Sequence, residues 1–155
     1  MVVEPADVVL DIGSNIGESA LAAAAAGAAR VLALEPDPVA AACLRANAAP
    51  VPVVEVHQRQ PWKCAEELSL TLEVERVGLL KLDVEGAEPE VLQGAAGTLP
   101  RTRKVAVDAG AERMGESTAA EVERILRGHG FQTHGDGRMV FGWRTTEPSN
   151  GSRGS

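Results

Sequence analysis

Four short aliphatic runs in this chain each end in a carboxylate. Val8 to Leu10 ends at Asp11, Val31 to Leu34 at Glu35, Val77 to Leu82 at Asp83, and Val105 to Val107 at Asp108. A glycine or proline follows within a few residues of each, and helical patterns fill the intervals. Such alternation predicts successive β-α units, which pack as a mostly parallel sheet with helices on both faces. Runs such as VLAL and VGLL, with little polar alternation, suit strands buried on both sides.

The predicted strands are Asp7 to Asp11, Arg30 to Glu35, Val51 to His57, Val77 to Asp83 and Lys104 to Asp108. The first helix runs from about Gly17 to Ala26. It is alanine-rich and so strongly helical, with Gly27 placed to close it. Pro36 and Pro38 mark a turn and the start of a second helix reaching about Asn47. Gln60 to Val74 has a weaker pattern, with Trp62 and a short helical stretch near Cys64 to Leu70. The next helix begins near Glu88–Pro89 and ends before Gly97. Thr118-Ala-Ala-Glu121 has capping-box spacing and opens a helix carrying Val122, Ile125 and Leu126 on one face. Gly128 and Gly130 end that helix. Phe131 to His134 and Met139 to Trp143, separated by GDGR, read as a hairpin with an antiparallel last strand. Residues 1–144 form one domain. Thr145 to Ser155 is polar and Gly/Ser-rich, the composition of a disordered tail, and GSRGS reads as a cloning scar.

With 155 residues the chain can bury a core, but aromatics are only 3% and Tyr is absent. The core must therefore come from Ala, Val and Leu, and few rings exist on which bases could stack. The net charge of −7 opposes nonspecific nucleic-acid binding and an anionic membrane surface. No apolar run reaches the ~18 residues of a membrane span. The N-terminus lacks signal-peptide layout, and Cys43 and Cys64 have no metal or framework spacing, so a reduced cytoplasmic setting fits. Cys43 reads as a small buried hydrophobe.

Ligands of such sheets sit outside the carboxyl ends of the strands. The first loop, Asp11-Ile-Gly13-Ser14-Asn15-Ile-Gly17, can turn tightly and approach a ligand closely, or it is an ordinary strand-to-helix turn capped by Asn15. It departs from Gly-x-Gly-x-x-Gly, and Asp11 would repel a pyrophosphate but favour an ammonium group. Glu35, eighteen residues beyond Gly17, can accept both hydroxyls of a ribose. Amino group, sulfonium and ribose without phosphate describe S-adenosylmethionine.

These residues resemble the FkbM-type family of S-adenosylmethionine-dependent methyltransferases. VVLDIGSNIGESAL with RVLALEPDP covers Asp7 to Pro38, and the more specific block, LLKLDVEGAEPEVLQGA, covers Leu79 to Ala95. The resemblance implies a class I methyltransferase fold: α/β, Rossmann-like and doubly wound, with seven strands in order 3-2-1-4-5-7-6. It implies O-methylation of a hydroxyl on a small molecule or sugar. Asp11, Gly13, Ser14, Asn15 and Gly17 would line the methionine part of the cofactor. Glu35 with Pro36 would hold the ribose, and Asp83 would lie beside the sulfonium. Six residues precede Asp7 and about twenty separate His57 from Val77, both shorter than is usual in the family.

A hydroxyl nucleophile gains from a base. Asp83 is the leading candidate, and Glu85 could act as the base or orient substrate. Glu88 reads as a charge complementing a helix N-terminus, and Lys81 as a strand-edge charge. His57 and Gln58 either contact adenine or simply end a strand. Asp83 and Asp108 could share a divalent cation, but Ala109 stands where such sites usually add an Asn; no metal is assigned. His129 closes a helix, His134 lies on the surface, Trp62 fills core and Trp143 packs. The expected partner is a small molecule with a hydroxyl acceptor, with no nucleic acid or membrane; an oligomer is left open. Two other readings stand: a cofactor-binding module that works through a partner without catalysis, and a nicotinamide-dependent reductase, which the loop spacing and missing Tyr oppose.

Overall fold

The computed structural model describes residues 2–60, 74–111 and 113–144. Seven strands form one sheet: β1 (Val8–Ile12), β2 (Arg30–Leu34), β3 (Val54–His57), β4 (Val77–Leu82), β5 (Thr102–Asp108), β6 (Gln132–Gly135) and β7 (Met139–Trp143). Their order is β3-β2-β1-β4-β5-β7-β6. β3 to β5 pair in parallel through β2, β1 and β4, while β7 is antiparallel to both its neighbours. This is the class I methyltransferase order that the resemblance implied.

The helices are α1 (Glu18–Ala25), α2 (Pro38–Ala48), α3 (Glu88–Gly94) and α4 (Ala119–Gly128). Strand side chains alternate between two cores, as the pleat requires. Leu10, Ile12, Leu32, Leu34, Leu80 and Leu82 pack toward α3 and α4. Val9, Val31, Ala33 and Leu79 pack toward α1 and α2. On that second side Ala20, Ala23 and Ala48 let the helices lie close to the sheet, which is how a chain with few rings fills its interior.

Several local expectations are corrected. β3 starts at Val54, not Val51, because Val51 and Val54 donate their N–H groups to Ala48 and Val51 carbonyls, making turns. Cys43 is exposed: the stripe of α2 that meets the sheet is Ala41, Leu44 and Ala48, and Cys43 falls off it. Thr118 precedes α4 but forms no side-chain cap, since its hydroxyl is drawn to Glu88 instead. Gly27 does follow α1 in the left-handed region at φ +98°, as the helix end requires. Trp62, the stretch 64–70 and the tail 145–155 lie outside the described residues.

At the amino edge of the sheet, Asp7 is buried and accepts from Arg103 Nη2 at 2.6 Å, Lys104 Nζ at 3.0 Å and the Glu4 N–H at 2.9 Å. Burial alone would raise the Asp7 pKa, but the Glu4 N–H and the two cations more than offset it and hold it below the ordinary value. Its contribution to stability is therefore full above the usual Asp pKa of about 3.9 and is lost as pH falls through the lower folded value. Asp7→Ala leaves Lys104 with the Val2 carbonyl at 2.6 Å and Glu4 Oε1 at 3.3 Å, and should cost about 2 kcal/mol at neutral pH in urea unfolding. The gap between variant and wild type should close as the pH falls below about 4. The cleft that opens beside this cluster, ≈ 660 Å³, is thus lined by groups such as Glu4, Asp7 and Arg103 that neutralise one another.

Candidate functional site

The β1–α1 loop is held by main-chain bonds to the end of β2. Gly13 and Ser14 both donate N–H bonds of 3.0 Å to the Leu34 carbonyl, and Ser14 Oγ donates to the Asp11 carbonyl at 2.8 Å. Gly13 sits at φ +79°. A Cβ there would lie 1.8 Å from the Asp83 carbonyl oxygen, so glycine alone lets β1 and β4 close at the switch point. Asn15 is left-handed at φ 48°, a conformation Asn tolerates, and does not cap α1; Gly17 occupies that position without a side-chain bond.

Glu35 lies beneath this loop. Its Oε2 accepts the Asn15 N–H at 2.8 Å and its Oε1 the Asp37 N–H at 2.8 Å. Each oxygen still has a free lone pair, so the carboxylate can accept two hydroxyls while staying in place. Pro36 is half-buried beside it.

Asp11, Lys81 and Asp83 meet at the next strand pair. Asp11 and Lys81 are register partners across β1 and β4. Lys81 Nζ stands 3.2 Å from Asp11 Oδ1, 3.1 Å from the Gly13 carbonyl and 3.6 Å from Asp83 Oδ2. Ser19 Oγ donates to Asp11 Oδ2 at 2.6 Å. Asp11 is 1% exposed, and among the described residues its Oδ1 accepts no hydrogen bond of proper geometry and faces the Lys81 charge. Asp83, with a side chain 42% exposed, stands at the mouth. Gly13, Ser14, Asn15, Ile16, Glu18, Ser19, Lys81 and Asp83 line a cleft of ≈ 360 Å³.

Lys81 is therefore no strand-edge charge. The regular pleat turns it to the same side as Asp11, into the site. The available signal was its position: a lone charge inside an aliphatic strand, directly ahead of the Asp-Val-Glu-Gly turn. Ser19 was missed as well, because a serine in the first turn of an alanine-rich helix reads as local.

The remaining candidates lie apart from this cleft. Glu85 is exposed, left-handed at φ 52°, and not among the cleft residues. Glu88 is fully buried, accepting the Gly86 N–H at 2.8 Å and the Thr118 hydroxyl at 2.7 Å. It braces the turn after β4 against the start of α4, which goes beyond complementing a helix terminus. His57 is half-buried, and burial pushes its pKa below the ordinary value, partly countered by Glu55 at 3.9 Å. Its Nε2 has no hydrogen-bond partner among the described residues. Gln58 is exposed and accepts from Arg45 at 3.4 Å. Asp108 is forked onto Arg138 at 2.7 to 3.1 Å, so its oxygens are engaged by a guanidinium. Among the described residues no group of three or more His, Cys, Asp or Glu is placed to hold a metal ion. No helix among them is long and apolar enough to cross a membrane.

No curated protein matches this chain. Among solved structures it is similar to the Methanococcus jannaschii fibrillarin pre-rRNA processing protein, at 18% identity and a TM-score of 0.68, over 92% of this chain and 68% of that one. Aeropyrum pernix fibrillarin, crystallised with natively bound S-adenosyl-L-methionine, matches at 16% identity and TM-score 0.66, over 92% and 68%. Methyltransferase FkbM from Methylobacillus flagellatus matches at 16% identity and TM-score 0.64, over 90% of this chain and 44% of that one. These likenesses establish the fold. The family model of the methyltransferase FkbM domain matches residues 50–133, more than half the chain and all of the Leu79–Ala95 block. The chain belongs to the FkbM methyltransferase domain family.

Proposed function

We propose that this chain binds S-adenosylmethionine at the carboxyl edge of β1, β2 and β4 and methylates a hydroxyl on a small molecule. One observation carries the reading: two carboxylates and a carbonyl converge beside the glycine loop, with a third carboxylate, Glu35, tied beneath it. The set suits an ammonium and a ribose, and its carboxylates would repel a pyrophosphate. The buried Asp11 Oδ1 makes no well-formed hydrogen bond among the described residues, although the Lys81 ammonium faces it at 3.2 Å, so it can still take a better-placed donor.

In this reading Asp11, Gly13, Ser14, Asn15 and Gly17 surround the methionine part. Glu35 receives the ribose hydroxyls with Pro36 alongside, and His57 and Gln58 flank the base. When bound, the cofactor supplies an electrophilic methyl group. Asp83 then serves as the base at the mouth of the cleft, taking the proton from the acceptor hydroxyl as the oxygen attacks. Glu85, exposed on the same turn, orients the acceptor. The protein's work is alignment and electrostatics.

Two solved neighbours are fibrillarins, one titled as a pre-rRNA processing protein, which raises RNA as an acceptor. The net charge of −7 and the acidic cleft favour a neutral small molecule over a polyanion. A non-catalytic cofactor-binding module is the second reading, favoured by Glu85 being exposed and outside the cleft, so that one of the two carboxylates of the Asp83–Glu85 turn is withdrawn from it.

Calorimetric titration of S-adenosylhomocysteine tests the cofactor. Wild type should bind, and Glu35→Ala should weaken binding about 10–100-fold, the loss of charge-assisted hydrogen bonds. No binding by folded wild type would overturn the proposal. With labelled S-adenosylmethionine, turnover on RNA in place of hydroxylated small molecules would overturn the acceptor, and binding without any turnover would favour the module.

A further inference from the structure

Lys81 brings a cation to the lining of the cleft, and the reading above assigns it no task. It rises from β4 with a side chain only 21% exposed, and its ammonium lies among the Gly13 carbonyl, Asp11 Oδ1 and Asp83 Oδ2. That is a seat for an ammonium group, and the structure fills it with the chain's own. Among the described residues Lys81 is the cation paired with Asp11, and burying a carboxylate without one costs several kcal/mol. Lys81 thus meets the electrostatic demand of Asp11 and Asp83 from within the protein.

We infer that Lys81 is a resident stand-in for the cofactor's amino group, displaced from this seat when the methionine part binds. The inference rests on the cofactor reading above. Two ammonium groups cannot share one seat: at a few ångströms their repulsion is about 4 kcal/mol even at an effective dielectric constant of about 20. Binding is then an exchange of one ammonium for another, nearly neutral in charge at the seat. Affinity for the amino-acid part is correspondingly lower than the two carboxylates would allow. The exchange also frees the Lys81 side chain, whose flexible four-carbon stem can turn toward the mouth of the cleft, where Asp83 already stands 3.6 Å from its ammonium. Cofactor loading would thereby reset the charge around the base.

The test compares two ligands in three proteins. S-adenosylhomocysteine carries the amino-acid part, and methylthioadenosine shares the nucleoside and thioether without it. Calorimetry gives both affinities for wild type, Lys81→Met and Lys81→Gln, with thermal melting to verify folding. Exchange requires the ratio of homocysteine-ligand to methylthioadenosine affinity to rise about tenfold in Lys81→Met, since only the ammonium ligand can fill the vacated seat. Lys81→Gln keeps a donor for the Gly13 carbonyl and should fold if the methionine variant does not; its ratio should rise by a smaller factor. A ratio that stays or falls in the folded variants, with wild type binding normally, overturns the exchange and leaves the cofactor reading intact. Failure of folded wild type to bind either ligand removes the cofactor reading, and the exchange with it.

Discussion

Gly13→Ala should unfold the switch point and abolish cofactor binding. The added Cβ would lie 1.8 Å from the Asp83 carbonyl oxygen and 2.8 Å from its carbon, both of them main-chain atoms that no rotamer can move away. Retreat is blocked on both sides. Gly13 is tied to Leu34, and Asp83 donates its N–H to the Ile12 carbonyl at 3.0 Å. A left-handed φ adds about 1–2 kcal/mol for any side chain. The expected loss is about 4 kcal/mol or more in urea unfolding, the scale of the largest single-residue effects. Gly27→Ala is the internal control. It shares the positive φ, at +98°, but its Cβ would meet nothing within 4 Å, so only the conformational cost of about 1 kcal/mol should appear. Equal losses in the two variants would show that the backbone conformation, and not the approach of β1 to β4, is what Gly13 provides.

Glu88→Ala should be nearly as damaging, although Glu88 touches no part of the cleft. Its carboxylate is the partner of both the Gly86 N–H and the Thr118 hydroxyl in a wholly buried position. Each buried group left without a partner costs about 1–3 kcal/mol, and the lost side-chain volume adds a cavity. A total near 4 kcal/mol is expected. Glu88→Gln separates the terms. Its amide oxygen can accept the Gly86 N–H while its amide nitrogen donates to Thr118 Oγ, a hydroxyl that serves as donor or acceptor. That variant should keep most of the stability, within about 1.5 kcal/mol of wild type. If Glu88→Gln falls as far as Glu88→Ala, the charge itself is needed at the start of α3.

What could be read from the chain alone follows the range of the interactions involved. The strands and helices rest on local pattern, and Val31 to Leu34 or Val122 to Leu126 state their element plainly. The strand order came with the Leu79–Ala95 block and its family likeness. Asp11, Gly13 and Glu35 were legible because β1 and β2 follow each other and their ends must be neighbours. Lys81 was not, because its role depends on pairing across β1 and β4, about seventy residues apart, and Ser19 was not, because a serine in the first turn of an alanine-rich helix reads as local although its hydroxyl turns back to Asp11. Glu88 was misjudged for the same reason: its partner Thr118 is thirty residues on, and a capping-box spacing disguised a hydroxyl committed elsewhere. Cys43 failed for a smaller reason, a helical phase shifted by one position.

β1 lies between β2, which follows it directly, and β4, which begins only at Val77. The early half of the chain can pair β1, β2 and β3 by short crossovers, but one edge of β1 stays open until β4 inserts. Nonlocal closure of this kind is a slow event in folding. On the proposed reading, the ammonium seat and the ribose carboxylate therefore belong to different moments. Glu35 meets the glycine loop within the first sixty residues, whereas Asp11 meets Lys81 and Asp83 only at closure. A partly folded chain would then offer grip on a nucleoside but none on an amino acid. Ligands with the full methionine part are thus selective for the finished fold, and mass action makes them stabilise it alone.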